Sequence, residues 1–596
     1  MRILSPSLPA RGALALLGLS AAVAHAQPVP DTRVGLKAGW FDAGEATWNM
    51  KLVSATPPSD AFLSKNAPDA RLKNSDLAFS GTRVFQGNYS GWQVWDIADP
   101  RKPKLRAAVV CPGSQSDVTV YGNLLFVSAE AVAGRVDCGL EGVEAEVSKD
   151  RARGIRIFDI SNIEKPKSIK VVQTCRGSHT NTLVTDPNDP ENVYIYVSGS
   201  AGVRSNQELE GCSAGAPDAD PNTALFRIEV IRVPVKNPQA AAIVSSPRIF
   251  EGLGEAKRHG DAPGDRRERP EGAPMRPSVA GRGPTQCHDI TTYPALGLAG
   301  GACSGYGILL DIKDIKNPKR LYAAADTNMS AWHSATFSND GTKVIFTDEW
   351  GGGARPRCRV QDPVTWGANA IYDIVDGKLE RRGYYKIPAP QSDVENCVAH
   401  NGSIVPVPGR DVFVQAWYQG GVSVLDFTDS ANPVEIAFFD RGPIDARHSL
   451  LGGYWSTYWY DGRIYGTEIV RGLDVLELTP SEHLTANEIA AAAMADQGGT
   501  FNPQQQFPVR WPAHPVIARA YMDQLARTSS LDTALAGELT AALAAAEARL
   551  ESGGHDAATA GTLRALAARL PSSGDAAAQR RLTALGETLG SIAAAL

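Results

Sequence analysis

Beyond its N-terminal two dozen residues the chain lacks any uninterrupted apolar run of about 18 residues, the length a membrane-spanning helix requires. It has no Cys-x-x-Cys pair, which removes the commonest zinc and thioredoxin-type arrangements. Gly-x-Ser-x-Gly, the phosphate-binding P-loop, His-Glu-x-x-His and a dinucleotide fingerprint after a strand are all missing, so the familiar signatures of serine hydrolases, nucleotide hydrolases, zincins and nicotinamide enzymes are excluded. Charge of one sign is lacking too. With 59 Lys and Arg against 65 Asp and Glu, interspersed to a net −6, the chain offers no footprint for nucleic acid.

What is present begins with an export signal. Arg2 and Arg11 precede an apolar run from Ala13 to Ala24, and Ala24-His25-Ala26 stands before Gln27, the layout of a cleavable secretory peptide over residues 1–26. The mature protein is therefore expected in the periplasm or outside the cell, with no transmembrane segment. In that oxidising setting the eight cysteines, an even number, are expected to form disulfides. With 43% apolar residues over 596 positions, the chain can bury at least one large core.

One unit recurs along most of the length: a polar-to-apolar strand, a β-rich strand, then an apolar strand ending in Asp-Ile and followed by Asn/Lys-Pro. The clearest copies are GWQVWDIADPRKP (91–103), GIRIFDISNIEKP (154–166), GILLDIKDIKNP (307–318) and GVSVLDFTDSANP (421–433). In each, Asp precedes Pro by seven residues: Asp96 and Pro103, Asp159 and Pro166, Asp311 and Pro318, Asp426 and Pro433. Weaker copies at 225–238, 369–378 and 472–480 bring the count to seven, and the fourth repeat is degenerate at GLAGGAC. Alternation and β-branched or aromatic content make these strands. About four strands per unit is the make-up of a propeller blade. The expected fold is an all-β, seven-bladed propeller over 48–480, closed by the N-terminal strand WNMKLVSATP (48–57) completing the last blade, which removes an exposed edge. Residues 27–47 form an N-terminal extension. From 481 to 596 the texture turns to Ala, Leu, Glu and Arg at helical spacing, expected as a small bundle with helices at 514–526, 532–551, 558–570 and 576–596.

The repeat resembles that of the LVIVD-repeat family of exported propellers, whose units carry the same Gly-x-x-V-x-D-I-x-x-P-x-x-P theme. The resemblance covers about 48–480 and implies the fold, with little chemistry. A distant likeness to selenium-binding-protein and methanethiol-oxidase propellers rests on HDI (288–290) and WHSATFSNDGTKVIFTDEWG (332–351).

Aligning the first strands brings Asp76, Asp117, His179, His288, His333, His400 and Ser456 into register, so four adjacent blades supply histidine. His448 falls eight residues before Ser456, in a connection. First strands line the central channel, so the four imidazoles should converge on its mouth. A ligand set of neutral imidazoles suits one transition-metal ion, copper or iron before zinc, rather than magnesium or calcium. In ligand set and propeller setting alone this is similar to the four-histidine iron site of carotenoid cleavage oxygenases. Glu130, Asp348, Glu349 and Glu468, at the ends of second strands, are candidates to accept the non-ligating N–H of a ring histidine. Asp76 and Asp117, at neighbouring ring positions, leave a paired-carboxylate glycosidase layout open.

Cys111, Cys175, Cys287 and Cys397 sit just before ring positions, and Cys138, Cys212, Cys303 and Cys358 in connections between second and third strands. Both kinds of position lie on one rim, where pairing of sequence neighbours, 111 with 138, 175 with 212, 287 with 303 and 358 with 397, would pin long loops. Insertions at 131–153, 200–224 and 351–369 mark the same rim as the functional face. The Pro-, Gly- and charge-rich stretch 251–286 reads as a mobile insertion. Two functions follow: a metal-dependent oxidoreductase taking an unidentified small molecule at the rim, or a non-enzymatic scaffold offering the rim and the helices to a surface polymer or protein partner.

Overall fold

In a computed structural model that describes residues 30–63, 73–216, 219–260 and 283–596, the chain forms a seven-bladed β-propeller with a helical region at its C-terminal end. The signal sequence over 1–26 and the stretch 261–282 lie outside the described residues. Blade 1 runs Asn74–Ser80, Arg83–Asn88, Gly91–Asp96 and Lys104–Val110, and the same antiparallel order repeats around the ring. First strands contact one another in sequence and the last, Tyr454–Tyr460, returns to Asn74–Ser80, so they wall the channel. Met50–Thr56 pairs with Gly472–Leu478 and supplies the outer strand of blade 7. Glu45–Trp48 adds a fifth strand to the edge of blade 6.

The repeat has a local physical cause. In four of the seven blades the third strand ends in an aspartate whose Oδ1 accepts the backbone N–H two residues on: Ala98 for Asp96 at 3.0 Å, Ser161 for Asp159 at 2.8 Å, Lys313 for Asp311 at 2.9 Å and Thr428 for Asp426 at 2.8 Å. This Asx turn ends the strand, while the next residue, Ile97, Ile160, Ile312 or Phe427, is buried against the neighbouring blade. Middle strands are packed on both faces, so Leu124–Ala129 is buried throughout instead of alternating. The degenerate fourth repeat still forms its strand, Leu298–Cys303, where glycines stand against the side chains of Ala335 and Phe337.

All eight cysteines are disulfide-bonded in the sequence-neighbour pairing. One expectation needs correction: Cys287 and Cys303 are directly opposed on adjacent strands, so this bridge staples the top of blade 4 and pins no long loop. The other insertions are held by buried charge as well, with Glu208 on the third-blade loop bound by both Arg204 and Arg151.

The sequence left one element unread. Between the propeller and the helices Pro515–Arg527, Thr533–Glu551, Ala557–Ala567 and Ala576–Ala595, residues 497–511 cross the far end of the channel and touch every blade in turn. Gln497 donates to Trp459 O at 3.1 Å (blade 7), Phe501 pairs with Phe79 (blade 1), and Asn502 bonds both Val120 N and Val120 O (blade 2). Gln505 donates to Thr185 Oγ1 at 2.9 Å (blade 3), and the Gln504 carbonyl accepts Thr292 N at 2.8 Å (blade 4). Gln506 bonds Phe337 N and O at 2.7 and 2.9 Å (blade 5), and Trp511 Nε1 donates to Pro406 O at 3.0 Å (blade 6). These contacts fall at the opposite ends of the first strands from the histidines, so the segment is a plug. Gln506→Ala leaves both backbone groups of Phe337 without their amide partner and is expected to cost about 1–3 kcal/mol, checked by urea denaturation against wild type.

Candidate metal centre

At the other mouth the four histidines form a continuous cluster. Ring centroids are 4.4 Å apart for His179 and His288, 3.8 Å for His288 and His333, and 4.1 Å for His333 and His400. Adjacent blades place them there: His288 and His333 are the second residues of the first strands Cys287–Tyr293 and Trp332–Phe337, and His179 and His400 stand two residues before Asn181–Thr185 and Gly402–Val405. The ligand atoms of His288, His333 and Glu349 all lie within 4.8 Å of one another, a set that could hold a metal ion. His179 and His400 flank it: His179 Nε2 is 2.8 Å from His288 Nε2, and His400 Nε2 is 3.8 Å from Glu349 Oε1.

The outer nitrogens are pinned. His179 Nδ1 meets Glu130 Oε1 at 2.5 Å, His288 Nδ1 meets Asp289 Oδ1 at 2.9 Å, and His400 Nδ1 meets the Trp455 carbonyl. A carboxylate or carbonyl accepts, so each Nδ1 carries a proton and the Nε2 of a neutral ring turns its lone pair inward. The 2.8 Å between His179 Nε2 and His288 Nε2 needs a proton or a cation shared by the two nitrogens. Nitrogens bound at about 2.0–2.1 Å to one ion at a right angle would stand about 2.9 Å apart, close to the separation seen. Both His333 nitrogens and His400 Nε2 are buried without a hydrogen-bond partner, the orphaned donors a metal would satisfy.

Burial opposes charging His179, but Glu130 outweighs it and the ring's pKa rises; burial likewise opposes ionising Glu130, yet His179 holds that carboxyl down at about 2. Burial, reinforced by the neighbouring histidines, pushes His333 well below the ordinary histidine range and takes His400 down to about 3, against the pull of the Trp455 carbonyl. Burial raises Glu349, with His288 and the Tyr418 hydroxyl opposing. The two innermost rings are therefore neutral and ready to ligate. Solvent reaches the cluster on the side of His288, whose side chain is 20% exposed, and of Glu130 and Glu349.

The carboxylates divide. Glu130 also accepts from Ser200 Oγ at 2.7 Å and so ties the third-blade loop to the cluster. Glu349 lies among the ligand atoms themselves and accepts the Tyr418 hydroxyl at 2.6 Å. Asp348 and Glu468 differ from expectation, because loop backbone reaches them first. Asp348 caps the N–H groups of Ser330, Ala331 and Gly367, and Glu468 those of Gly453, Val470 and Arg471. Asp76 and Asp117 lie deeper in the channel, on blades 1 and 2, and touch no histidine of the cluster: Asp76 accepts from Tyr458, Asp117 from Asn181. Asp289, one residue past His288, was missed although the HDI triplet displayed it.

Tyr418, also missed, is held at φ +53° in a turn and packs 4.5 Å from His400, beside Trp455. A non-glycine residue in that region is uncommon and marks a position fixed by its surroundings. His259, left unassigned from sequence, stacks on Trp366 at 3.7 Å and lies 3.7 Å from Asp348, so residues 251–260 are anchored on the rim, contrary to the reading of 251–286 as mobile throughout.

No family model and no curated protein matches the chain. Among solved structures it is similar in fold to the periplasmic gluconolactonase of Pseudomonas aeruginosa (11% identity, 68% of this chain and 99% of that one, TM-score 0.39). Similar likenesses are found to hydrazine synthase of Kuenenia stuttgartiensis (13%, 66% and 92%, 0.38) and to BamB of Moraxella catarrhalis (11%, 72% and 97%, 0.35).

Glu130→Gln tests the pinning of His179. Loss of an outer carboxylate of this kind typically weakens metal binding about 10–100-fold, to be read by chelator competition on protein whose melting is unchanged.

Proposed function

We propose that the chain is an exported propeller of the LVIVD-repeat type that holds one transition-metal ion at the channel mouth and acts as a metal-dependent oxidoreductase on a small molecule admitted across the looped rim. The observation that supports it most directly is the pair of inward-facing nitrogens, His179 Nε2 and His288 Nε2, 2.8 Å apart with both outer nitrogens held by carboxylates. Two histidines with Glu349 make a 2-His-1-carboxylate set, which suits iron or zinc, and the added imidazoles of His179 and His400 suit copper or iron. When bound, such an ion would polarise an oxygen-bearing substrate or exchange electrons with it. The chain's own part is to fix the rings through Glu130, Asp289 and the Trp455 carbonyl, and to keep His333 and His400 out of water. Tyr418 donates its hydroxyl hydrogen bond to Glu349 and so orients that carboxylate toward the imidazoles.

The reading is tested by elemental analysis of the mature protein purified without chelator, followed by an oxygen-uptake screen. Near one equivalent of iron or copper is expected. Protein that carries no transition metal and takes none up supports the scaffold function instead.

A further inference from the structure

Between the histidine tier and the plug lies a second constellation made of oxygen. Asp76 and Asp117 are both buried, and their carboxyls are within hydrogen-bond reach of each other. Asp76 accepts the Tyr458 hydroxyl at 2.6 Å and the Leu77 N–H at 2.8 Å, and Asp117 accepts the Asn181 N–H at 2.8 Å. Asp289 is near enough to repel both. Their hydrogen-bond partners among the described residues are hydroxyl, amide and backbone groups, with no ion pair to lysine or arginine.

Two further side chains point to what does. Gln504 of the plug and Asn401 of blade 6 meet Asp76 Oδ2 through their amide nitrogens, at 3.0 and 3.4 Å. Their oxygens, Gln504 Oε1 and Asn401 Oδ1, are buried with no partner, as is Asp117 Oδ1. Turning either amide over exchanges its nitrogen for its oxygen at the Asp76 carboxylate, and which way an amide lies is decided only by its partners. Two carboxylates and two amide oxygens with no nitrogen or sulfur donor form the ligand chemistry of a hard cation, the opposite of the tier above. A cation there would neutralise the repelling pair and satisfy the orphaned oxygens together. Burial, the mutual charge of the two aspartates and Asp289 raise both carboxyls, the cost that a bound cation would remove.

We infer that Asp76, Asp117, Asn401 and Gln504 form a second, oxygen-only site on the propeller axis for a divalent cation such as calcium. The site is separate from the histidine centre and couples ring and plug, since Gln504 reaches it from residues 497–511.

The full mature chain, stripped with chelator at neutral pH, is titrated with calcium chloride while melting is followed. A rise of roughly 2–4 °C at millimolar calcium is expected, equally in His333→Ala protein, and it should vanish in Asp117→Asn. Because Asp117→Asn can also disturb folding, a second measurement uses wild type alone. Terbium bound beside Tyr458 should give tyrosine-sensitised luminescence that calcium displaces. Wild-type protein with neither a calcium-dependent melting shift nor displaceable terbium emission overturns the site.

Discussion

His333→Ala protein, purified like wild type, is expected to carry less than about a tenth of a metal equivalent, because losing a ligand should exceed the 10–100-fold cost of losing an outer partner. His333 is the ring packed between His288 and His400, fully buried and with both nitrogens orphaned, so nothing else can take its place. His448→Ala is the control, since that ring is exposed and bound only to Asp445. Mass spectrometry of the metal content, beside a melting curve, separates ligand loss from unfolding. The wild-type centre should also resist acid. Burial and the neighbouring rings hold His333 and His400 below the ordinary value of 6.5, so protons compete for these ligands only below that range. His179, raised by Glu130, is the ligand protons reach first, so acid should weaken binding in two stages, and complete loss of metal before the range of His333 and His400 is reached would contradict their assignment as ligands.

Glu488→Ala should be the most damaging change outside the channel, at about 3–5 kcal/mol. Glu488 is fully buried in the helix Ala486–Ala493, where it completes a capping box with Thr485. Its carboxylate binds Arg410 of blade 6 at 3.0 Å and Arg527 of the next helix at 2.5 and 2.8 Å, so one side chain joins propeller to helices. Removing it deprives Arg527 of its carboxylate and leaves Arg410 with Asp426 as its one remaining carboxylate partner. Denaturant titration should show the loss, and limited proteolysis should release the helical region before the ring is cut. Burial alone would raise the Glu488 pKa, but the arginines prevail and lower it. A depressed carboxylate stabilises above its unfolded value of about 4.3 and loses that contribution as pH falls through the folded value. Acid should therefore loosen the helices of wild type and leave those of Glu488→Gln unchanged.

Blade count, ring closure and disulfide pairing were legible because they repeat or follow from repetition. An aspartate that ends one third strand by capping a turn does so in four of the seven blades, and its fixed spacing to proline survives where apolar content drifts. The histidine register was legible for the same reason, since one position per blade maps to one radius. The division of labour among the carboxylates was not. Asp348 and Glu349 are adjacent in sequence, yet one faces loop N–H groups and the other the imidazoles, a difference set by strand twist that no spacing encodes. The plug was illegible because its amides act on distant strands, Asn502 and Gln506 on backbone groups and Gln504 and Gln505 on the side chains of Asp76 and Thr185, and show no apolar period.

The plug also dictates when this molecule can be finished. Blade 7 takes its outer strand from Met50–Thr56, and the far ends of the seven inner strands are tied together by residues 497–511. Both closures join segments hundreds of positions apart, so the loop entropy lost in making them is repaid only at the last step. The ring can close once Gly472–Leu478 is available to Met50–Thr56, but its axis is sealed only when residues 497–511 follow, so a chain lacking the final hundred residues would keep its blades and leave the channel open from end to end.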